Sequence, residues 1–457
     1  MTGTGGRSAL PHALARAFDR VRRLCLRMSA DMMGGIFSSM LADIPLPRMA
    51  LIRQRFDAVK VASVSGEIAG QFKKRWVQDL VKQAPRIGIT VGSRGISNLK
   101  GIVRLMCEHI KAAGSQPFIL PSMGSHGGAT AEGQIRVLHE LGVTEAYCGA
   151  PILSGMDVVK LGETGGVPVY YDKIALSLDG IIVLNRVKAH TEISGDIESG
   201  IHKMIAVGLG NHIGAMSLHA QGLDRAVPCL KAIASFALQN ANVLFAVGIV
   251  ENAYEQTARI AFIPRDRIAL EEPVLLARSK ELLPRFPFND IDVLAVDYIG
   301  KNISGDGMDP NIIGRSMVRV KNRDIRISHI AALDLSDETM GSGMGLGLAD
   351  VTTRRLVDKL DLQSMYINAV TSVAPRGAAV PLTMPNDRLA IQLAIKAACD
   401  GKDMNKVRMV RIRDTLHMGR MMVSETILAE INGKPGIELL RQAEDLRFDA
   451  LGNLGLL

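Results

Sequence analysis

Short apolar runs alternate with helix-period segments along this chain from residue 87 onward. Ile87–Val91 reads as a buried strand, and Gly92-Ser93-Arg94-Gly95 as the turn that follows it. Ile102, Val103, Met106 and Ile110 then share one helical face, and Gly114 is the residue type that ends helices in a left-handed conformation. Pro117–Leu120 predicts the next strand. It leads into Gly124-Ser125-His126-Gly127-Gly128 and a second helix near Thr130, where Glu132 complements the helix dipole. Gly180–Asn185 and Asn242–Val250 predict two further strands. Strand, helix, strand, glycine loop, helix is the rhythm of a parallel sheet, and in such sheets ligands gather at the carboxyl ends of the strands.

Ile44–Pro47 predicts extended chain, because each proline disfavours helix before it. Leu283–Asn289, with two prolines and two phenylalanines, predicts a boundary. Beyond it Ile291–Val296 opens a fresh strand, and Lys301–Asn311 forms a polar glycine loop. The expected fold class is α/β: two α/β domains with largely parallel sheets and the active site in the cleft between them. The expected bounds are a variable basic extension over 1–36, an N-terminal α/β domain over 37–285, and a C-terminal α/β domain over 286–457. The last helices of the C-terminal domain are expected to pack back on the first domain. No internal repeat or low-complexity segment interrupts this plan.

Composition narrows the function classes. A chain of 457 residues calls for two or three domains, and 47% hydrophobic against 22% charged residues is ordinary for a soluble protein. No apolar run reaches the length of a membrane span, so no membrane partner is expected. The first thirty residues carry Arg7, Arg16, Arg20, Arg22, Arg23 and Arg27 against Asp19, and so hold five of the eight net positive charges. The rest of the chain is near neutral and poor in aromatics, which argues against a nucleic-acid partner. Leu14, Phe18, Val21, Cys25 and Met28 fall at helical spacing in that arm, but it lacks the apolar core of a secretory signal. It reads as a variable extension or a start codon placed too early. Cys25, Cys107, Cys148, Cys229 and Cys399 show no paired spacing, which fits reduced thiols in a cytoplasm.

Candidate chemistry sits at the predicted strand ends. His126 lies in its glycine loop either as an acid/base group or as a loop histidine bonded to backbone. Arg186, Lys188 and His190 leave the strand at 180–185 together, which suits an anionic substrate or, equally, a solvated loop. Glycines crowd the stretch from Glu198 to His219, so backbone there can approach a ligand closely. Lys203 reads as a surface lysine or a reactive amine. His202 precedes Lys203 directly, and His212 and His219 lack the short spacing of a helical metal pair. Ser304, Asp306 and Asp309 follow Lys301 and Asn302 in a loop that could hold a carboxylate or magnesium, or be a polar turn.

Gly92-Ser93-Arg94, Gly124-Ser125-His126-Gly127-Gly128, Lys188-Ala189-His190, Ser199-Gly200-Ile201-His202-Lys203 and Gly300-Lys301-Asn302 occur in this order. Together they resemble the nickel-dependent lactate racemase family over roughly residues 37–457. The resemblance implies an isomerase, a racemase or epimerase of 2-hydroxy acids, carrying a nickel-pincer nucleotide in its N-terminal domain. Lys203 matches the lysine that takes a thioamide link to that cofactor, and His219 the histidine that completes nickel coordination. His126 and His190 match the two catalytic histidines. Ser93, Arg94, Gly127, Gly128, Ser199 and Gly200 match cofactor-binding positions. Arg94 and Lys301 match groups that hold the substrate carboxylate. Implied partners are a small 2-hydroxy acid and the cofactor-synthesis enzymes that load the protein. A homo-oligomer fits the reading as well.

The implied mechanism has one histidine taking the hydroxyl proton as hydride leaves the substrate carbon, with the second serving the opposite enantiomer. Histidine suits both tasks because its unperturbed pKa is about 6.5. Two departures from the family pattern bear on substrate. Val91 stands where better-known members carry an acid, and Trp76, the one tryptophan of the chain, lies outside the second domain. A larger or more polar hydroxy acid is therefore as good a candidate as lactate. Two other classes stay open: an organic-acid or nucleotide binding protein of the same fold, and a divalent-metal hydrolase or lyase built on His126 and His190.

Overall fold

The structure is a computed structural model and describes residues 35–222, 225–317, 324–371 and 373–457. The basic arm read from the sequence lies outside the described residues. The chain is α/β throughout and forms two compact units. One is Phe56–Pro284; the other joins the described residues up to Arg55 to Arg285–Leu457. The first strand, β1 (Met49–Gln54), belongs to the latter.

Unit 56–284 holds β2 (Arg86–Val91), β3 (Gln116–Pro121), β4 (Val158–Thr164), β5 (Val167–Asp172), β6 (Gly180–Arg186), β7 (Val243–Glu251) and β8 (Thr257–Pro264). Five of them form a sheet in the order β3-β2-β6-β7-β8, parallel except for β8, which returns antiparallel along β7. β4 and β5 make a separate hairpin. The inner strands are buried on both faces, which is why they read as unbroken apolar runs. Ile181 and Val183 of β6 pack into one core, with α4 (Ala226–Asn240) and α5 (Ile268–Glu281). Ile182 and Leu184 pack into the other, with α1 (Leu99–Ala112) and Phe245, Val247 and Ile249 of β7. Two shorter helices complete the scaffold of the site: α2 (Ala131–Glu140), capped by Thr130 Oγ1 accepting from Gly133 N, and α3 (Asn211–His219).

β2 and β6 pair only from Ile87/Gly180 to Ile89/Ile182. Past that point the side chain of Thr90 replaces the ladder. Its Oγ1 accepts from Leu184 N at 3.0 Å and donates to Leu184 O at 3.2 Å. Gly88 is required at the level below. A Cβ there would lie 2.6 Å from Leu120 Cδ1 and 2.7 Å from Ile181 Cδ1. The connection after β2 runs to β3 on one side, and that after β6 to β7 on the other. The parting of β2 and β6 is therefore the switch point of the sheet.

The second unit is an eight-stranded sheet of β9 (Asp290–Ile299), β10 (Arg326–Leu335), β11 (Val351–Thr353), β12 (Leu382–Met384), β13 (Met409–Ile412), β14 (Arg420–Ser424), β15 (Ile437–Glu444) and β1. The order is β12-β11-β10-β9-β13-β14-β1-β15. The half from β12 to β13 is parallel and the half from β13 to β15 antiparallel. α6 (Asp387–Ala398) covers part of one face with Leu389, Ala390, Ile391, Ala394 and Ile395. The sequence reading placed residues 37–55 in the N-terminal domain; they belong instead to the unit with Arg285–Leu457. β1 is an apolar strand with Met49, Ala50 and Ile52 fully buried, and it satisfies its two edges on β14 and β15.

No helix among the described residues is long and apolar enough to cross a membrane. The four described cysteines are buried and unbridged, and burial pushes the Cys107 thiol up to about 12.

One buried charge pair holds the middle of the second sheet. Arg411 of β13 donates to both oxygens of Asp297 on β9, at 2.7 and 2.9 Å. Burial raises the Asp297 pKa and Arg411 opposes it. Asp297→Ala leaves the guanidinium buried without this counter-charge. It should cost about 3–5 kcal/mol in urea unfolding; a loss under about 1 kcal/mol would mean the pair does not support the sheet.

Candidate functional site

The carboxyl ends of β2, β3 and β6 bring their loops to the switch point. After β2 come Gly92, Ser93 and Arg94. A Cβ at Gly92 would stand 3.3 Å from Met204 Cε, so glycine lets this loop lie against the segment that carries Lys203. After β3, Ser122 N donates to Val91 O at 2.8 Å and His126 N to Met123 O at 3.2 Å, which turns the chain back over β2. The His126 ring then reaches Ser93 Oγ through Nδ1. Gly127 has a left-handed φ of 70°, and a Cβ on it would meet the backbone of Gly133 and Gln134. Gly127 thus lets the His126 loop lie against the start of α2, and Gly128, with φ 68°, continues the left-handed turn.

After β6, Lys188 exchanges backbone hydrogen bonds with Ser199 at 2.8 and 3.2 Å, closing a loop over residues 188–199. His190 sits inside that loop. Its N donates to Glu198 Oε2 at 2.7 Å, and its Nδ1 accepts from Glu192 N at 3.0 Å and Ile193 N at 3.1 Å. The buried Glu198 also accepts from Gly195 N at 3.1 Å and pairs with Lys280 Nζ at 2.6 Å.

Ser199 and Gly200 lead into a short helical turn, Ile201–Lys203, followed by a π-helical turn over Met204–Gly208. π turns interrupt regular helix pairing and recur at functional sites. The start of the segment is capped from a distance. Glu272 of α5, fully buried, accepts from Ile201 N at 2.8 Å and His202 N at 2.9 Å, and its Oε2 meets His202 Nδ1. A Cβ on Gly200 would overlap the Glu272 carboxylate, so this approach needs glycine. Asn185 Nδ2 holds Gly200 O at 2.8 Å.

These anchors deliver Lys203 Nζ to 2.6 Å from His190 Nε2. The electrostatics show what else is close. His190 is pushed well below its ordinary 6.5 by burial first, then by Lys203, Lys188, His219 and Arg94. His219, at the end of α3, is lowered by burial and then by Lys203. Lys203, His190, His219, Arg94 and Lys188 therefore form one cationic neighbourhood, and His126 adjoins it through Ser93. All six lie in unit 56–284. Lys301 lies in the other unit, where its backbone N donates to Thr339 Oγ1 at 3.0 Å.

Among the described residues, no three His, Cys, Asp or Glu side chains come together as a metal cage. What the site offers instead is an amine and neutral imidazoles, the form of histidine that binds metals. Of these groups, the Lys203 amine could hold a cofactor and the His219 imidazole could ligate a metal. Glu198, Glu272 and Asn185 escaped the sequence reading. Glu272 follows Glu271 on a helix, where paired acids read as surface. Its remoteness from Gly200 in the chain left no local signal.

No protein-family model matches this sequence, and no curated protein does. Among solved structures, the chain is similar to the lactate racemase apoprotein from Thermoanaerobacterium thermosaccharolyticum. The TM-score is 0.48 at 13% identity, covering 79% of this chain and 94% of that one. It is also similar to a protein from Thermotoga maritima, with a TM-score of 0.46 at 11% identity over 72% of this chain and 82% of that one.

Two outcomes follow from these anchors. Glu272→Ala removes the acceptor for two buried backbone donors and an imidazole, and should cost about 3 kcal/mol or more in urea unfolding. A change below about 1 kcal/mol would show that Glu272 does not cap the turn. The second concerns pH. The folded chain keeps His190 unprotonated, while the unfolded chain takes up a proton below about 6.5, so this group's stability contribution is complete above that pH and shrinks as pH falls. His190→Asn should flatten the acid side of the stability profile by up to about 1.4 kcal/mol per pH unit. Parallel profiles in the two proteins would mean the imidazole titrates alike in both states.

Proposed function

We propose that this protein is a racemase or epimerase of a 2-hydroxy acid, working with a nickel-pincer nucleotide linked to Lys203. The observation that carries the reading is the Lys203–His190 contact of 2.6 Å, with His219 and Arg94 in the same electrostatic neighbourhood. Lys203 would hold the cofactor through its nitrogen, and the His219 imidazole would ligate the nickel. When bound, that group supplies the acceptor and donor of hydride.

The chain's own residues do the rest. Arg94 binds the substrate carboxylate, because a guanidinium matches two carboxylate oxygens. His126 and His190 take and return the hydroxyl proton of the two enantiomers. Ser93 orients His126 through Nδ1, and Glu198 with the backbone of residues 192 and 193 orients His190. A proton acceptor must be neutral before it acts, and burial among cations keeps His190 in that form near pH 7. The reading places the protein in the cytoplasm beside the enzymes that make and load the cofactor.

The test is intact mass spectrometry of protein produced together with cofactor-synthesis enzymes, then chiral chromatography with single-enantiomer hydroxy acids. The wild-type chain should gain a covalent adduct and nickel, and Lys203→Ala should gain neither and show no turnover. Unaltered turnover in Lys203→Ala would overturn the assignment. His126→Ala and His190→Ala should keep the adduct and lose racemisation by roughly 10²–10⁴-fold, the usual worth of a general acid/base group. Metal without any adduct would favour a divalent-metal hydrolase or lyase instead.

A further inference from the structure

We infer that the unloaded chain holds Lys203 as an uncharged amine, with its lone pair turned to the Nε2–H of His190. This deepens the proposed function and rests on it only for the use the amine is put to. The starting point is the other nitrogen of the ring. His190 Nδ1 faces two backbone N–H groups, those of Glu192 at 3.0 Å and Ile193 at 3.1 Å. An amide N–H can only donate, so Nδ1 must present a bare lone pair. Turning the ring over would point a carbon at both donors and lose both bonds.

A neutral imidazole carries one proton, and with Nδ1 bare that proton is on Nε2. Nε2 is the atom 2.6 Å from Lys203 Nζ. An ammonium has three donors and no acceptor, so it cannot share a hydrogen bond with Nε2–H. A neutral amine can, because it has a lone pair. The opposite arrangement, an ammonium donating to a bare Nε2, would move the ring proton onto Nδ1 and set it against two N–H groups. A doubly protonated ring would meet the same clash.

The surroundings favour the same state. Lys188 at the end of β6 and Arg94 after β2 both act on the ring that touches Lys203. Glu198 accepts from His190 N and Gly195 N and pairs with Lys280. A lysine crowded by other cations gives up its proton more readily than one in water. An ordinary lysine near pH 7.5 is uncharged in only about one molecule per thousand. The arrangement at Lys203 makes the nucleophilic form the resident one. Glu198 is then a positioning residue, since it holds the loop whose N–H groups fix the ring.

The experiment uses the full chain without cofactor. Trace labelling with acetic anhydride across pH 6–10, read by peptide mass spectrometry, gives a titration curve for Lys203 beside the exposed lysines as internal standards. The midpoint for Lys203 should lie below pH 7.5, about three pH units below theirs, so that Lys203 has passed half of its maximal labelling at pH 7.5 while the exposed lysines stand near one part in a thousand. A normalised curve is insensitive to burial of the amine, which scales all points alike. Nitrogen-15 spectra of histidine-labelled protein, with His190→Gln to identify the signal, should show a protonated Nε2 and a bare Nδ1 at pH 7.5. Glu198→Gln should move the Lys203 midpoint back toward the exposed lysines.

A Lys203 curve that overlays the exposed lysines, or a ring proton found on Nδ1, overturns the inference. The two readings fail separately. A low midpoint in a chain that never gains an adduct upholds the amine and removes the racemase. An adduct on a lysine with an ordinary midpoint does the reverse.

Discussion

The parting of β2 and β6 is the constraint from which the site follows. Two parallel strands that stayed paired to their ends would leave no room between their loops. The ladder stops at Ile89 and Ile182, and the Thr90 hydroxyl takes up the next donor and acceptor so that nothing polar is stranded in the core. Beyond it, the chains leaving β2 and β6 diverge by connectivity alone. Arg94, Lys188 and His190 are carried by loops that start from this gap, and Lys203 by the helical turn that follows the second of them.

Buried carboxylates then do what regular secondary structure cannot. Glu198 and Glu272 each face at least two backbone N–H groups in segments too irregular to satisfy their own donors. A charged acceptor makes stronger hydrogen bonds than a carbonyl, and it fixes the direction of several donors at once. The result is a firm base for two side chains, Lys203 and His190, whose nitrogens stand 2.6 Å apart. The positive character of the site comes from side chains, and its stiffness from acids placed behind them.

Much of this was legible in the sequence, and the rest was hidden for identifiable reasons. β2, β3, β6, β7 and β9 announced themselves as apolar runs because they are buried on both faces, and Gly114 and Thr130 marked helix ends through local chemistry that any context preserves. The loops bearing Arg94, His126 and His190 were readable because strand ends in parallel sheets are where loops meet. The partners of β1 were not readable. Its run of apolar residues states that it is buried, but pairing across most of the chain leaves no local trace. β8 was not read as a strand at all, and its antiparallel return along β7 had no place in a parallel rhythm. Glu272 shows the same blindness for a single residue, since its role exists only once α5 lies behind Gly200.

The place of β1 between β14 and β15 has a consequence for how the protein is made. On the ribosome this strand emerges before residues 56–284, and both of its neighbours emerge after them. Residues 56–284 carry their own sheet and cores, so they can fold while translation continues. β1 must wait through that interval as an apolar strand with two bare edges, the kind of segment that chaperones hold and that aggregates recruit. The sheet it completes closes around it only once β14 and β15 have emerged, so the inserted unit is ready first.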